Sequence, residues 1–406
     1  MKCSLSSFSH VKVSSVFLFL LFVVLSLKYD IGAIAPDGKL YDGIGAEFFR
    51  TGRFIDNVRH QEVLPSLGHP FLHGVLKLVL PSTHLVTQLI SATAMGLTGW
   101  AVLIFTRNPL AAAVTMTSYF WLTTGEYGVA GIEPTIALFY AATAVAFFHA
   151  SSKDWTPRSL VILSTVVALN ILVRPTAGFL VVATTGLAFI LFWKRDFRRG
   201  SALMILPFIL VVVAAYSLAS HDDLRMVSGT YGAIPMYAAF NPYIDLERNY
   251  SSTLWSEVAD PQRTEALAMF ENDAGWKVRE ERLRSAAWEF IQAEPRASFD
   301  GFLFRFGRYG WNAERVWLKY LGVIFNSVGL IAVLAWLKGI WLPHTLASAV
   351  VFVAMTVMQS LFVYAGPRYL AGHIVLEVVL LPLVIHEVYS KTKGPSGQKS
   401  CLEVSE

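Results

Sequence analysis

The chain has 406 residues, of which 54% are hydrophobic and only 15% are charged. Soluble domains carry about a quarter charged residues, so this composition excludes an ordinary soluble protein and predicts an integral membrane protein with many spans. The net charge of +4 does not indicate nucleic-acid binding, because the basic residues cluster in short loops between apolar runs. The two cysteines, Cys3 and Cys401, lie near opposite termini and offer neither a disulfide framework nor a metal site.

Hydropathy predicts an all-α polytopic membrane protein with about ten transmembrane helices. The first apolar run, Val13–Leu27, follows two lysines and no small-residue cleavage site follows it, so we interpret it as a retained signal-anchor. The other predicted spans are Thr83–Phe105, Leu110–Thr124, Thr135–Ala150, Leu160–Val173, Thr176–Trp193, Ala202–Ala219, Tyr320–Leu337, His344–Ala365 and Tyr369–Val388.

Basic residues in alternate loops set the predicted orientation. They follow the second, fourth, sixth, eighth and tenth spans, all on the side of the N-terminus, which the positive-inside rule assigns to the cytoplasm. These residues are Arg107, Lys153, Arg158, Lys194, Arg195, Arg198, Arg199, Lys338, Lys391 and Lys393. We therefore expect one transmembrane domain over residues 1–388 and a disordered cytoplasmic tail over residues 389–406. An outer loop at 28–81 and a charged outer segment at 221–315 face the other side.

The first outer loop has two amphipathic segments. Tyr41, Ile44, Phe48 and Phe49 fall on one helical stripe, the pattern of a helix lying in the membrane interface. The apolar stretch that begins at His69 is too short to span a bilayer and stops at Pro81, so it is also interfacial or re-entrant by this reading. Together they predict a shelf for a lipid-linked substrate, and a plain loop with amphipathic anchoring is the alternative.

Asp37 lies about ten residues after the first span, at the expected membrane surface. A carboxylate at a low-dielectric boundary can have a raised pKa and take a proton from a hydroxyl. The alternative for Asp37 is a solvated or structural loop residue.

Other polar residues also fall on the outer side. Glu133 precedes a proline that starts a helix, a position where a negative charge is favourable for structural reasons alone. Glu126 is either a loop residue or a second acid that lines the same cavity as Asp37. Arg174 and Arg368 each stand beside a proline at a tight outer turn, where an arginine either snorkels or binds phosphate. Two arginines on the outer side run against the positive-inside bias, and their presence there favours an anionic ligand.

His69 and His73 are four residues apart in the second amphipathic segment. No third ligand accompanies them, so we expect no metal site and favour hydrogen bonding to phosphate or packing. In the outer segment, Leu283, Ala287, Phe290 and Ile291 recur at helical spacing and predict an amphipathic helix before the eighth span.

Several of these motifs resemble the C-type-fold membrane glycosyltransferases, in the branch of the protein O-mannosyltransferases and lipid A aminoarabinose transferases. The resemblance lies in short motifs spread over nearly the whole chain. They are Pro36-Asp-Gly-Lys-Leu-Tyr41, Gly45-Ala-Glu-Phe-Phe-Arg-Thr-Gly-Arg-Phe54, His69-Pro-Phe-Leu-His73, Gly131-Ile-Glu-Pro-Thr-Ile-Ala-Leu-Phe139, Arg174-Pro-Thr176, Pro367-Arg-Tyr-Leu370 and the amphipathic run at 280–295.

The resemblance implies an inverting transferase that uses a polyprenyl-phosphate sugar on the outer face, with Asp37 as the catalytic base and no cofactor. The acceptor would be a hydroxyl of a glycan, lipid or protein. The candidate substrate-binding residues are Tyr41, His69, His73, Glu126, Glu133, Arg174, Arg368 and Tyr369, with His69, Arg174 and Arg368 for the donor phosphate. The chain departs from the pattern at Gly38, where the branch often has a second acid, and at His69, where it has lysine or arginine.

A lipid or solute transporter or flippase is the alternative function, because it would also have about ten spans with charged turns. Transporters usually carry ionisable residues within spans and repeated halves, and the sequence shows neither. A structural membrane subunit is a third possibility. The short loops favour a bacterial inner membrane with the active face in the periplasm, and the expected partners are the sugar donor, the acceptor and membrane lipids.

Overall fold

The computed structural model describes residues 36–52, 68–80, 82–126, 132–152, 156–174, 233–241 and 276–308, together with a few isolated positions near 205–213 and 375–386. Within these ranges the regular structure is helical and no strand occurs, which confirms the all-α prediction for this part. The helices are α1 (Pro36–Thr51), α2 (Gly68–Lys77), α3 (Thr83–Thr106), α4 (Pro109–Glu126), α5 (Glu133–Ser152), α6 (Pro157–Val173), α7 (Ala233–Ala239), α8 (Trp276–Ala293) and α9 (Pro295–Arg308).

Four of these helices, α3 to α6, coincide with predicted spans to within about three residues at each end, which is the usual uncertainty of such boundaries. Among the described residues, α3 is long and apolar enough to cross a membrane, and α6 is a shorter apolar helix. The predicted spans after residue 174 and the first span lie outside the described ranges. The total of about ten spans therefore stays a prediction.

Helices α3 and α4 are joined by a short polar connection. Ser82 caps α3 by accepting a hydrogen bond from the amide of Leu85, and α3 ends at Arg107, whose φ of 52° is left-handed. Asn108 then accepts bonds from the amides of Leu110 and Ala111, which starts α4. Since only two residues join α3 to α4, these helices must run in opposite directions.

The core of the bundle lies between α3, α5 and their neighbours α4 and α6. Alanines dominate it, and Tyr140 and Leu163 are among its fully buried large side chains. Small residues let helices approach closely, which is the packing expected inside a lipid bilayer. Asn170 ties α6 to α5, because its amide donates to Thr143 Oγ1 at 2.6 Å and to the carbonyl of Phe139 at 3.1 Å.

A second packed unit joins α7 and α8. Leu283 and Ala287 are completely buried against Tyr237 and Phe240, and Phe290 and Ile291 pack beside them. This confirms the amphipathic helix predicted from these four residues of α8. Glu280 adds a polar contact, because its carboxylate accepts from the backbone amide of Ala233 at 2.7 Å.

Candidate functional site: the α1–α2 helix pair

The segment predicted as the first outer loop contains two helices that cross in close contact. α1 covers the predicted amphipathic stripe, and α2 covers the start of the predicted interfacial segment, so both helices are confirmed. Gly45 and Gly74 mark the crossing: a Cβ on Gly45 would come within 2.4 Å of the carbonyl oxygen of Pro70, and one on Gly74 within 2.7 Å of the Phe49 ring. Only glycine at these positions lets the two backbones approach so closely.

The pair rests on one end of the bundle. A Cβ on Gly68, at the start of α2, would lie 2.8 Å from the backbone of Leu172, near the end of α6. His69 contacts Thr135 in the first turn of α5, and His73 contacts Thr87 near the start of α3. The starts of α3 and α5 and the end of α6 therefore lie at the same end of the bundle, beneath α2.

The strongest polar feature is a group of four side chains from three helices, which we call the Asp42 cluster: Asp42, His73, Lys77 and Thr83. Lys77 Nζ donates to Asp42 Oδ2 at 2.6 Å and to Thr83 Oγ1 at 3.1 Å, and Thr83 Oγ1 donates to the same carboxylate oxygen at 2.9 Å. His73 Nδ1 lies 3.5 Å from the other oxygen, Asp42 Oδ1. The cluster ties α1 to α2 and to the start of α3.

These contacts set the charge of Asp42. Burial raises its pKa, but the hydrogen bonds from His73, Lys77 and Thr83, together with the positive charge of Lys77, outweigh burial and lower the pKa from 3.8 to about 2. Asp42 is therefore ionised at neutral pH and holds its partners by charge-assisted hydrogen bonds.

His73 is enclosed between α1 and α3, with 3% of its surface exposed. Its Nε2 is 3.3 Å from Thr87 Oγ1, whose hydroxyl donates to the carbonyl of Thr83 at 3.0 Å. While that hydroxyl is engaged, Thr87 accepts from Nε2–H. The other ring nitrogen, Nδ1, then faces Asp42 Oδ1.

His69 is buried one turn before His73, and the two imidazole rings are 5.0 Å apart. Its Nδ1 is 2.8 Å from Thr135 Oγ1, and the ring of Tyr41 meets it edge to face at 5.0 Å. Burial and the neighbouring His73 lower the pKa of His69 well below 6.5, although Asp42 opposes this. His69 is therefore neutral at pH 7 and brings no positive charge to a phosphate.

Among the predicted site residues, Tyr41 contacts His69 and His69 contacts His73. Glu133 is buried at the first residue of α5, two positions before Thr135, and Arg174 follows α6 directly, next to the Leu172–Gly68 approach. These two lie at the end of the bundle that carries the α1–α2 pair.

The remaining candidates are less completely described. Asp37 lies in the first turn of α1 and Glu126 is the last residue of α4, but their side chains lie outside what the structure describes. Arg368 and Tyr369 lie outside the described residues altogether. Within the described part of the chain, no group of three or more histidine, cysteine or acidic side chains is placed to hold a metal ion.

Sequence reasoning missed Asp42, Lys77, Thr83, Thr87 and Thr135. One signal was available: His69, His73 and Lys77 follow at intervals of four, which puts three basic groups on one face of a ten-residue helix. Such a face needs an acidic or polar partner, and Asp42 is the partner. Asp42 and Lys77 are 35 positions apart, and no pattern in the sequence between them identified the pair.

Comparisons with known proteins add no assignment, since no family profile, no curated protein and no solved structure matches the chain.

Proposed function

We propose that the protein is an inverting membrane glycosyltransferase that moves a sugar from a polyprenyl-phosphate donor to an acceptor hydroxyl on the outer face. The observation that carries the proposal is the α1–α2 pair itself. It is a two-helix shelf on one end of an apolar bundle, and the helix that carries Asp37 in its first turn is anchored there through Asp42. Five of the seven short motifs that resemble the C-type glycosyltransferases fall in this same region, at α1, at α2, at the start of α5 and at the end of α6.

The membrane location has separate support. Helix α3 has the length and apolar character of a membrane span. Helices α1 and α2 and the turn that follows α2 keep large apolar side chains in contact with the surroundings. Phe49, Phe71, Leu78 and Val79 are exposed, and the rings of Phe48, Phe49 and Phe71 pack together. Such a surface suits a helix pair lying in the lipid interface, where a polyprenyl chain would also lie.

The proposed reaction is a single displacement. Asp37 takes the proton of the acceptor hydroxyl, whose oxygen bonds to the anomeric carbon as the bond from that carbon to the phosphate oxygen breaks. The products are the inverted glycoside and polyprenyl phosphate, with the acceptor's proton passing from Asp37 to solvent. Arg174 and Arg368 stabilise the leaving phosphate, and they carry this role without His69 because His69 is neutral.

The test uses purified full-length protein in lipid nanodiscs with a panel of polyprenyl-phosphate sugars, and it measures release of polyprenyl phosphate. Asp37→Asn is expected to reduce turnover by about a hundredfold or more, the loss typical for a general base, while Asp300→Asn on α9 keeps the wild-type rate. Equal turnover in Asp37→Asn and Asp300→Asn contradicts Asp37 as the base. Transfer of donors across the bilayer without release of polyprenyl phosphate would identify a flippase instead.

A further inference from the structure

Helix α9 exposes large apolar side chains although it lies in the charged outer segment. Phe299 is 58% and Leu303 is 49% exposed, four residues apart on one face, and the ring of Phe302 lies 6.1 Å from that of Phe299. Among residues 295–303, the part of α9 whose side chains the structure describes, the buried ones are the small residues Ser298 and Gly301. A helix that packed on a water-soluble core would present the opposite arrangement.

Helix α8, directly before it, has a buried apolar face, although it also exposes Val278 and Trp288. It buries Leu283 and Ala287 and exposes Glu281, Arg282 and Arg284. Glu294 alone separates the two helices, and α8 buries Leu283 whereas α9 exposes Phe299 and Leu303. The surroundings of α9 therefore differ in polarity from those of α8.

The charges of α9 identify what those surroundings are. The helix has three basic residues, Arg296, Arg305 and Arg308, and one acidic residue, Asp300. Phenylalanine and leucine on one face and an excess of arginine are typical of a helix that lies in the interface of an anionic bilayer. The next predicted span begins at Tyr320, only twelve residues after α9 ends, so the chain must approach the bilayer here.

We propose that α9 lies along the outer membrane surface, with Phe299 and Leu303 among the acyl chains and Arg296 at anionic headgroups. This inference rests on the membrane location in the proposed function and not on its chemistry. It gives the charged outer segment a second attachment to the bilayer, independent of the α1–α2 pair.

The test uses the full chain with its two cysteines replaced, Cys3→Ser and Cys401→Ser. Single cysteines at Phe299, Leu303, Glu281 and Trp100 carry an environment-sensitive fluorophore, and the protein is placed in nanodiscs of phosphatidylcholine and phosphatidylglycerol. Lipids with a nitroxide near the top of the acyl chain then quench any label that contacts the membrane. Glu281 is the matched exposed position on α8, and Trp100 is an exposed residue of the membrane-length helix α3.

Labels at 299 and 303 are expected to be quenched about twofold or more relative to the label at 281, and less so in nanodiscs without phosphatidylglycerol. Equal quenching at 299, 303 and 281 overturns the inference. A blue-shifted label at 299 without lipid quenching also overturns it, because a protein surface then covers α9. If the label at 100 is not quenched either, the membrane location in the proposed function fails, which distinguishes the two failures.

Discussion

Replacing Asp42 by asparagine tests whether the Asp42 cluster holds α1 in place. Asparagine keeps the shape of the side chain but removes the charge that Lys77 and His73 face. The fall in pKa from 3.8 to about 2 corresponds to about 2.4 kcal/mol at 1.36 kcal/mol per pKa unit. Because the Asp42 side chain is 19% exposed, solvent screening reduces this to about 1–2 kcal/mol.

The assay is amide hydrogen exchange of the α1 peptides in detergent or nanodiscs. At neutral pH, Asp42→Asn is expected to exchange about 5–30-fold faster than wild type, the factor that corresponds to this loss. The folded-state pKa of Asp42 is lowered, so its stabilisation is complete above pH 3.8 and is lost as the pH falls through about 2. The ratio of mutant to wild-type exchange should therefore approach one at the acid end of this range.

The control is Asp300→Asn, which removes an exposed carboxylate of α9. It should leave exchange in α1 unchanged at every pH. If Asp42→Asn and Asp300→Asn give the same exchange in α1, or if the effect of Asp42→Asn persists undiminished at pH 2, the charge of Asp42 does not hold α1.

Three further predictions concern the same region. Gly45→Ala is expected to destabilise the protein by about 2 kcal/mol or more, because the new Cβ would clash with the backbone. The Cβ of Gly43→Ala meets nothing within 4 Å, so this variant is expected to gain up to about 1 kcal/mol of helix propensity. Chemical denaturation measures the stability of both variants, and equal effects would contradict the close crossing of α1 and α2. The stability of the wild type should fall as the pH drops below 6.5, because the pKa of His69 is lowered in the folded state and the unfolded chain therefore takes up the proton first. Thermal melts should show a smaller loss of stability over the same pH range for His69→Gln. A double-mutant cycle of Asp42→Asn with Lys77→Met is expected to give a coupling of about 1 kcal/mol or more, and additive effects on unfolding would contradict the direct contact.

The sequence predicted α1 to α6 and α8 because each of these has its own periodicity or apolar length, whereas α7 and α9 were not predicted individually. The boundaries of α3 to α6 follow from hydropathy, and α1 and α8 follow from apolar stripes of four residues each. The packing of α1 on α2 depends on Gly45 and Gly74, and a glycine in a helical pattern does not reveal which backbone it faces. The polar partners of His69 and His73 come from α1, α3 and α5, so local spacing identified the histidines but not what they contact.

The contacts of α1 also fix the position of Asp37. Asp37 precedes Asp42 by five residues on one helix, which is about 7.5 Å along the axis. Asp42 is fixed to Lys77 and Thr83, and Gly45 leaves no gap beside Pro70. Helix α1 therefore cannot slide or turn by one residue without breaking contacts with α2 and with the start of α3. A displacement of α1 therefore also requires movement of the end of α2 at Lys77 and the start of α3 at Thr83.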